Sequence, residues 1–135
     1  MDDAKKVALK VKKREEQKKK REALKQSVAK RITEKTGVVH EFEYRFAKPE
    51  RQYRSDIAFP DVKVAIEIDG GTWTLGRHNR PSHAIDEMTK NNDYVIRGWH
   101  TFHCPWLWLE STRHRDNFIM NVCSLIEAKL NDRCV

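Results

Sequence analysis

Cysteine is scarce in this chain, and its pattern excludes more than its number. The 135 residues contain three, Cys104, Cys123 and Cys134, an odd count without CxxC spacing. Such a set builds no disulfide framework and suits a reducing compartment. A zinc site improvised from His100, His103, Cys104 and Cys123 is disfavoured, because the first three fall on a strand-like run whose neighbours point to opposite faces. Long apolar runs are also missing. None approaches the roughly 20 residues of a membrane span. The opening Met-Asp-Asp-Ala-Lys-Lys lacks the apolar segment of a secretory signal. We therefore expect a cytoplasmic protein with no membrane partner, and a single domain with one sizeable core.

Charge, by contrast, is plentiful and uneven. Residues 1–31 hold 13 Lys/Arg against 5 Asp/Glu, a balance of +8, whereas the remainder holds 14 against 15. The net charge of +7 thus belongs to one end. A basic arm over residues 1–20, disordered, a frayed helix or a segment that orders on nucleic acid, and a near-neutral domain over 21–135 follow from this shift. Lysines such as Lys12, Lys13, Lys18, Lys19 and Lys20 suit a phosphate backbone, since each neutralised phosphate releases counterions. Residues 5–21 show no clear apolar stripe, which weakens the reading as a membrane-surface helix.

Beyond the arm, Leu24, Val28 and Ile32 recur at helical spacing, and Gly37 offers a stop. Phe42, Tyr44 and Phe46 alternate with charged residues, which is strand periodicity, and Pro49 ends the run. Two more strand-like runs, Arg54 to Phe59 and Val62 to Asp69, flank the turn signal Pro60-Asp61. A loop spans 71–81. Ser82 is placed to cap a helix in which Ile85, Met88, Asn92 and Val95 share one face. Trp99 to Cys104 reads as a fourth strand, and a last helix carries Phe118, Val122, Leu125 and Ile126. The order is α-β-β-β-α-β-α.

The chemistry lies in the third strand. Val62, Val64, Ile66 and Ile68 form one β-branched face, and Lys63, Ala65, Glu67 and Asp69 form the other, read as exposed. If the turn is centred between Asp61 and Val62, Asp56 falls across from Glu67, with Cβ atoms about 5 Å apart. Those two carboxylates, with the Ile68 carbonyl, would offer an all-oxygen site for Mg²⁺ or Mn²⁺. The plainer alternative is a pair of surface acids neutralised by Arg54 and Lys63.

Asp56, then ten residues, then Glu67-Ile68-Asp69 resembles the PD-(D/E)XK nuclease superfamily. The segments Glu43-Tyr44-Arg45-Phe46, Asp56-Ile57-Ala58-Phe59-Pro60, Ala65 to Gly71, Gly76-Arg77-His78, Asp86-x-x-x-Lys90-Asn91 and Gly98-Trp99 resemble its small, often phage-encoded endonuclease branch. Asp69-Gly-Gly-Thr-Trp73 is similar to the very-short-patch-repair endonucleases. The likeness covers about residues 22–104. It implies a restriction-endonuclease-like core with a mixed sheet flanked by helices, and a metal-dependent DNA endonuclease. Branched DNA such as a Holliday junction, mismatches, nicks and plain duplex all stay open as substrates; small nucleases of this type often act on junctions as homodimers, and a phage-encoded one would work in a host cytoplasm.

In one place the sequence departs from that family. The family's lysine, two residues after the Glu, is Asp69 here. Lys90 and His78 are the candidates to replace it, the former otherwise pairing with Asp86 at i, i+4. Glu43 resembles an acid that some members supply before the Asp strand, and would otherwise pair with Arg45 or Arg54. Arg77, His78 and Arg80 would fasten adjacent phosphates or form a solvated basic loop, and Trp73 would wedge against DNA or pack in the core. Trp99 and Trp106-Leu107-Trp108-Leu109 are core or an oligomer contact. The rival function is a non-catalytic nucleic-acid-binding module that keeps a nuclease fold. A ribosome-type RNA-binding protein leaves the carboxylates unexplained. An HNH nuclease, suggested by His78-Asn79 and His83, lacks its ββα unit.

Overall fold

The computed structural model describes residues 2–69 and 81–133. The first helix, α1, runs from Asp3 to Thr36, about 50 Å of helix at 1.5 Å per residue. Asp2 caps it by accepting the Lys5 N–H at 2.7 Å, and Gly37 closes it in the left-handed conformation at φ 76°. Its buried residues are Lys25, Val28, Ala29 and Ile32, all in the C-terminal half. Beyond the Asp2 cap, the described residues of the basic arm are helical. Residues 3–20 continue the helix, and the anticipated boundary at 20/21 falls inside it. Lys, Glu, Arg, Ala and Gln are good helix formers, neither Gly nor Pro interrupts them, and the packed half supplies the costly nucleus.

Four strands follow: β1 (Glu41–Tyr44), β2 (Ser55–Phe59), β3 (Val64–Asp69) and β4 (His100–Pro105). They lie in sequence order across one mixed sheet, with β1-β2 and β2-β3 antiparallel and β3-β4 parallel. Helix α2 (Pro81–Ile96) provides the crossover that a parallel pair requires. It starts at Pro81, so Ser82 lies inside the helix rather than capping it. Between β2 and β3 the chain turns through a 3₁₀ turn at Pro60–Val62, with Lys63 at φ 52°. Two further helices, α3 (Trp106–Glu110) and α4 (Thr112–Arg133), complete the chain. The mixed α/β class and the flanking helices match expectation. The strands begin or end one or two residues from where periodicity put them.

Both faces of the sheet are covered. On one side Ile57, Phe59, Val64 and Ile66 join Val28 and Ile32 of α1 and Phe118, Val122 and Ile126 of α4 in the main core. On the other side Ala58 and Ala65 lie beneath Phe46, Tyr94 and Trp99. The two alanines are small enough to let the rings close down, and Phe46 stacks on Tyr94 with centroids 3.7 Å apart. The carboxylate-bearing face of β3 is thus not the open face that alternation predicts. Helix α2 is corrected in the same way. Its apolar residues Ile85, Met88 and Val95 stay exposed, while Tyr94 is buried against the sheet. Trp99 is core, Trp106 packs at the core's margin, and Trp108 is 41 % exposed. No helix among the described residues is long and apolar enough to cross a membrane.

Candidate active site

Residues of β2 and β3 pair as Ile57↔Ile66, Ala58↔Ala65 and Phe59↔Val64. This is the register expected from the turn, and it puts Asp56 and Glu67 next in line. The ladder stops there. The Asp56 carboxylate, rather than the β2 backbone, accepts the Ile68 N–H at 2.6 Å. On the other side, Phe42 pairs with Ile57 and Tyr44 with Ser55, so Glu43 falls opposite Asp56. Glu67 in turn pairs with His103 of β4. One row across the sheet therefore reads Glu43, Asp56, Glu67, His103.

Glu67 is 9 % exposed, and two donors meet its Oε1. The Tyr94 hydroxyl donates to it, and the Lys90 ammonium lies 2.7 Å away. Ser55 Oγ is 2.6 Å from the Tyr94 hydroxyl, which ties the site to β2. Burial raises the Glu67 pKa, and Lys90 and the Tyr94 hydrogen bond oppose that rise without cancelling it. Asp56 is also raised, by burial first and then by Glu43, against the Ile68 N–H, Lys25 and Lys90. The Tyr94 pKa is pushed up by burial and by Glu67. Two carboxylates with raised pKa values beside one cation are what functional clefts commonly hold.

Lys90 is thus engaged with the strand carboxylate, not with Asp86 as the helix spacing alone allowed. It approaches Glu67 from α2, and Asp69, which stands where a nuclease lysine is expected, contacts His103 Nδ1 at 3.5 Å instead. That hydrogen bond to Asp69 raises the His103 pKa.

Glu43 pairs neither with Arg45 nor with Arg54. Its Oε1 accepts from Lys25 Nζ at 2.8 Å, and the Lys25 side chain is buried. Glu43 also holds φ 49°, a costly conformation for a non-glycine residue. Lys25 was not among the residues that motif reasoning selected. The available signal was a lysine at the helical spacing of Val28, Ala29 and Ile32, on the stripe that faces the sheet.

Arg54 is exposed just before β2, and Lys12, Lys13, Lys18, Lys19 and Lys20 are exposed on α1. Lys18 lines a groove of about 400 Å³ that has Asp56 and Ile68 in its wall, whereas Lys13 and Lys20 line a neighbouring one. Arg77, His78 and Arg80, together with Trp73, lie outside the described residues. Cys104 and Cys123 are buried in the core, and among the described residues no group of three or more His, Cys, Asp or Glu side chains gathers for a metal ion. A hard cation needs less. Two carboxylates, a backbone carbonyl and water suit Mg²⁺, and Asp56, Glu67 and Ile68 are the residues that could offer such oxygens. Comparison of the chain with protein-family models, with curated proteins and with solved structures gave no match.

Proposed function

We propose that the protein is a metal-dependent DNA endonuclease with a restriction-endonuclease-like core of the PD-(D/E)XK type. The observation that carries this reading is the Lys90 ammonium on Glu67 Oε1, beside Asp56, at the point where β2 and β3 stop pairing. A cation from α2 then occupies the role of the lysine that Asp69 replaces. Asp56, Glu67 and the Ile68 carbonyl would hold Mg²⁺ or Mn²⁺. When bound, such an ion polarises a phosphate oxygen and acidifies a bound water.

The chain's own residues do the rest. Tyr94 and Lys90 grip one oxygen of Glu67, which fixes the orientation of the carboxylate. Lys90 is also placed to offset negative charge that develops on a phosphate beside the two acids. Asp69, with His103, and Glu43, with Lys25, are further acids near the reacting position that could orient water. The basic α1 supplies affinity that does not depend on sequence and that falls with salt. Branched or junction DNA is the substrate that the resemblance favours.

The test incubates wild-type and Glu67→Gln protein with duplex, nicked and four-way DNA, with and without Mg²⁺ or Mn²⁺. Metal-dependent cutting that disappears in the variant supports the proposal. The acid at position 69 favours one rival, a non-catalytic binding module, and that rival wins if both proteins bind DNA alike and cut none of it.

A further inference from the structure

The buried stripe of α1 does not end where the sheet ends. Ile32, Val28, Ala29 and Lys25 face the domain, and the same side of the helix continues outward through Arg21, Lys18 and Arg14. Positions 14, 18, 21 and 25 follow helical spacing over about 16 Å; Lys25 is buried against Glu43 and Arg21 lies 3.7 Å from Glu110, so Arg14 and Lys18 are the exposed cations of the line. With Gln17 and Glu22 of the same helix, the four line a groove that also takes in Ile68, Trp106 and Asp56. The Arg21 guanidinium sits 5.0 Å from the Trp106 ring centroid, so the aromatic ring is part of the groove wall.

From this arrangement we infer that the groove is a track for an unpaired DNA strand, with phosphates on Arg14, Lys18 and Arg21 and a base against Trp106. A line of cations beside an aromatic ring is the chemistry that single strands use, because every base has a face to stack. The track leads to Asp56, so a branch with a single-stranded arm becomes the substrate class. That assignment of substrate rests on the nuclease proposal, whereas the binding itself does not.

Binding is measured by fluorescence anisotropy in EDTA, with fluorescein-labelled oligo-dT and a blunt duplex of equal length. The oligo-dT is expected to bind more tightly than the duplex. Arg14→Ala/Lys18→Ala should weaken oligo-dT binding about tenfold and lower the salt slope by about 1.4, or 0.7 for each lost phosphate contact. Lys12→Ala/Lys19→Ala removes the same charge from the opposite side of α1 and should change binding several-fold less. Trp106→Phe should retain most of the affinity, while Trp106→Ala should lose about tenfold with its circular dichroism unchanged. Equal or tighter duplex binding overturns the inference, as does an equal loss in the two double variants. Cleavage is scored separately in Mg²⁺. Groove-dependent binding without any cleavage strikes only the nuclease proposal, and cleavage indifferent to Arg14 and Lys18 strikes only this one.

Discussion

The Tyr94 hydroxyl and the Lys90 ammonium converge on the same oxygen of Glu67, four residues apart on one helix and a full element away from the strand they serve. Burial makes the ionised Glu67 costly, and these two donors offset the cost. Removing either should show which of them keeps the carboxylate charged.

Lys90→Met is expected to destabilise the protein by about 2 kcal/mol near neutral pH, because a buried carboxylate then lacks its cation. The loss should shrink on acidification, as Glu67, already titrating above its ordinary 4.5, takes up a proton. If the site is catalytic, cleavage should fall about hundredfold. Urea unfolding against pH, with a cleavage assay beside it, checks both statements.

Tyr94→Phe deletes the hydrogen bonds to Glu67 and to Ser55 while keeping the stacked ring over Phe46. We expect a stability loss of about 1–2 kcal/mol, since the buried Ser55 hydroxyl is left without its partner. The pH dependence of cleavage should move to higher pH as the Glu67 pKa climbs. A variant matching wild type in both respects would show that the hydroxyl has no part in the site.

Asp56 is held above its ordinary value of 3.8, so the folded protein binds more protons there than the unfolded chain. Its contribution to stability therefore falls as pH rises through the window above 3.8. Asp56→Asn, which can still accept the Ile68 N–H, should be more stable than wild type near neutral pH by about 1 kcal/mol. The gain should vanish toward the acid end of the window, and cleavage should be abolished. Urea midpoints across pH would expose the opposite trend.

Glu43→Ala leaves the buried Lys25 ammonium without its partner and should cost about 3 kcal/mol. Glu43→Gly loses the same carboxylate but relieves the left-handed backbone, so it should be more stable than Glu43→Ala by about 1 kcal/mol. Lys25→Met should be nearly neutral, because it removes the buried charge along with its need for a partner. Thermal unfolding of the three variants tests that order.

Burial pushes the Cys104 thiol up to about 12 and raises Cys123 as well. In Cys134→Ser protein, a thiol-reactive disulfide reagent should label neither cysteine at neutral pH without denaturant, and should label both in urea. Rapid labelling of the folded protein would contradict their place in the core.

The strand alternation of 54–69, the Pro60-Asp61 turn and the resulting register of Asp56 toward Glu67 were legible from residues alone, because a period of two and a turn residue act over a few peptide units. So were the helix through Val28 and Ile32, its Gly37 stop, and the apolar side of α4. What covers the acidic face of β3 was not legible. Helix α2 turns Tyr94 and Lys90 inward and leaves Ile85 and Met88 in solvent, against its own apolar periodicity. That choice depends on rings from 46 and 99 and small residues from 58 and 65 meeting across the sheet. The union of Lys25 with Glu43 likewise joins groups 18 residues apart. Local periodicity says which residues share a side, but only packing between distant segments decides which neighbour that side receives.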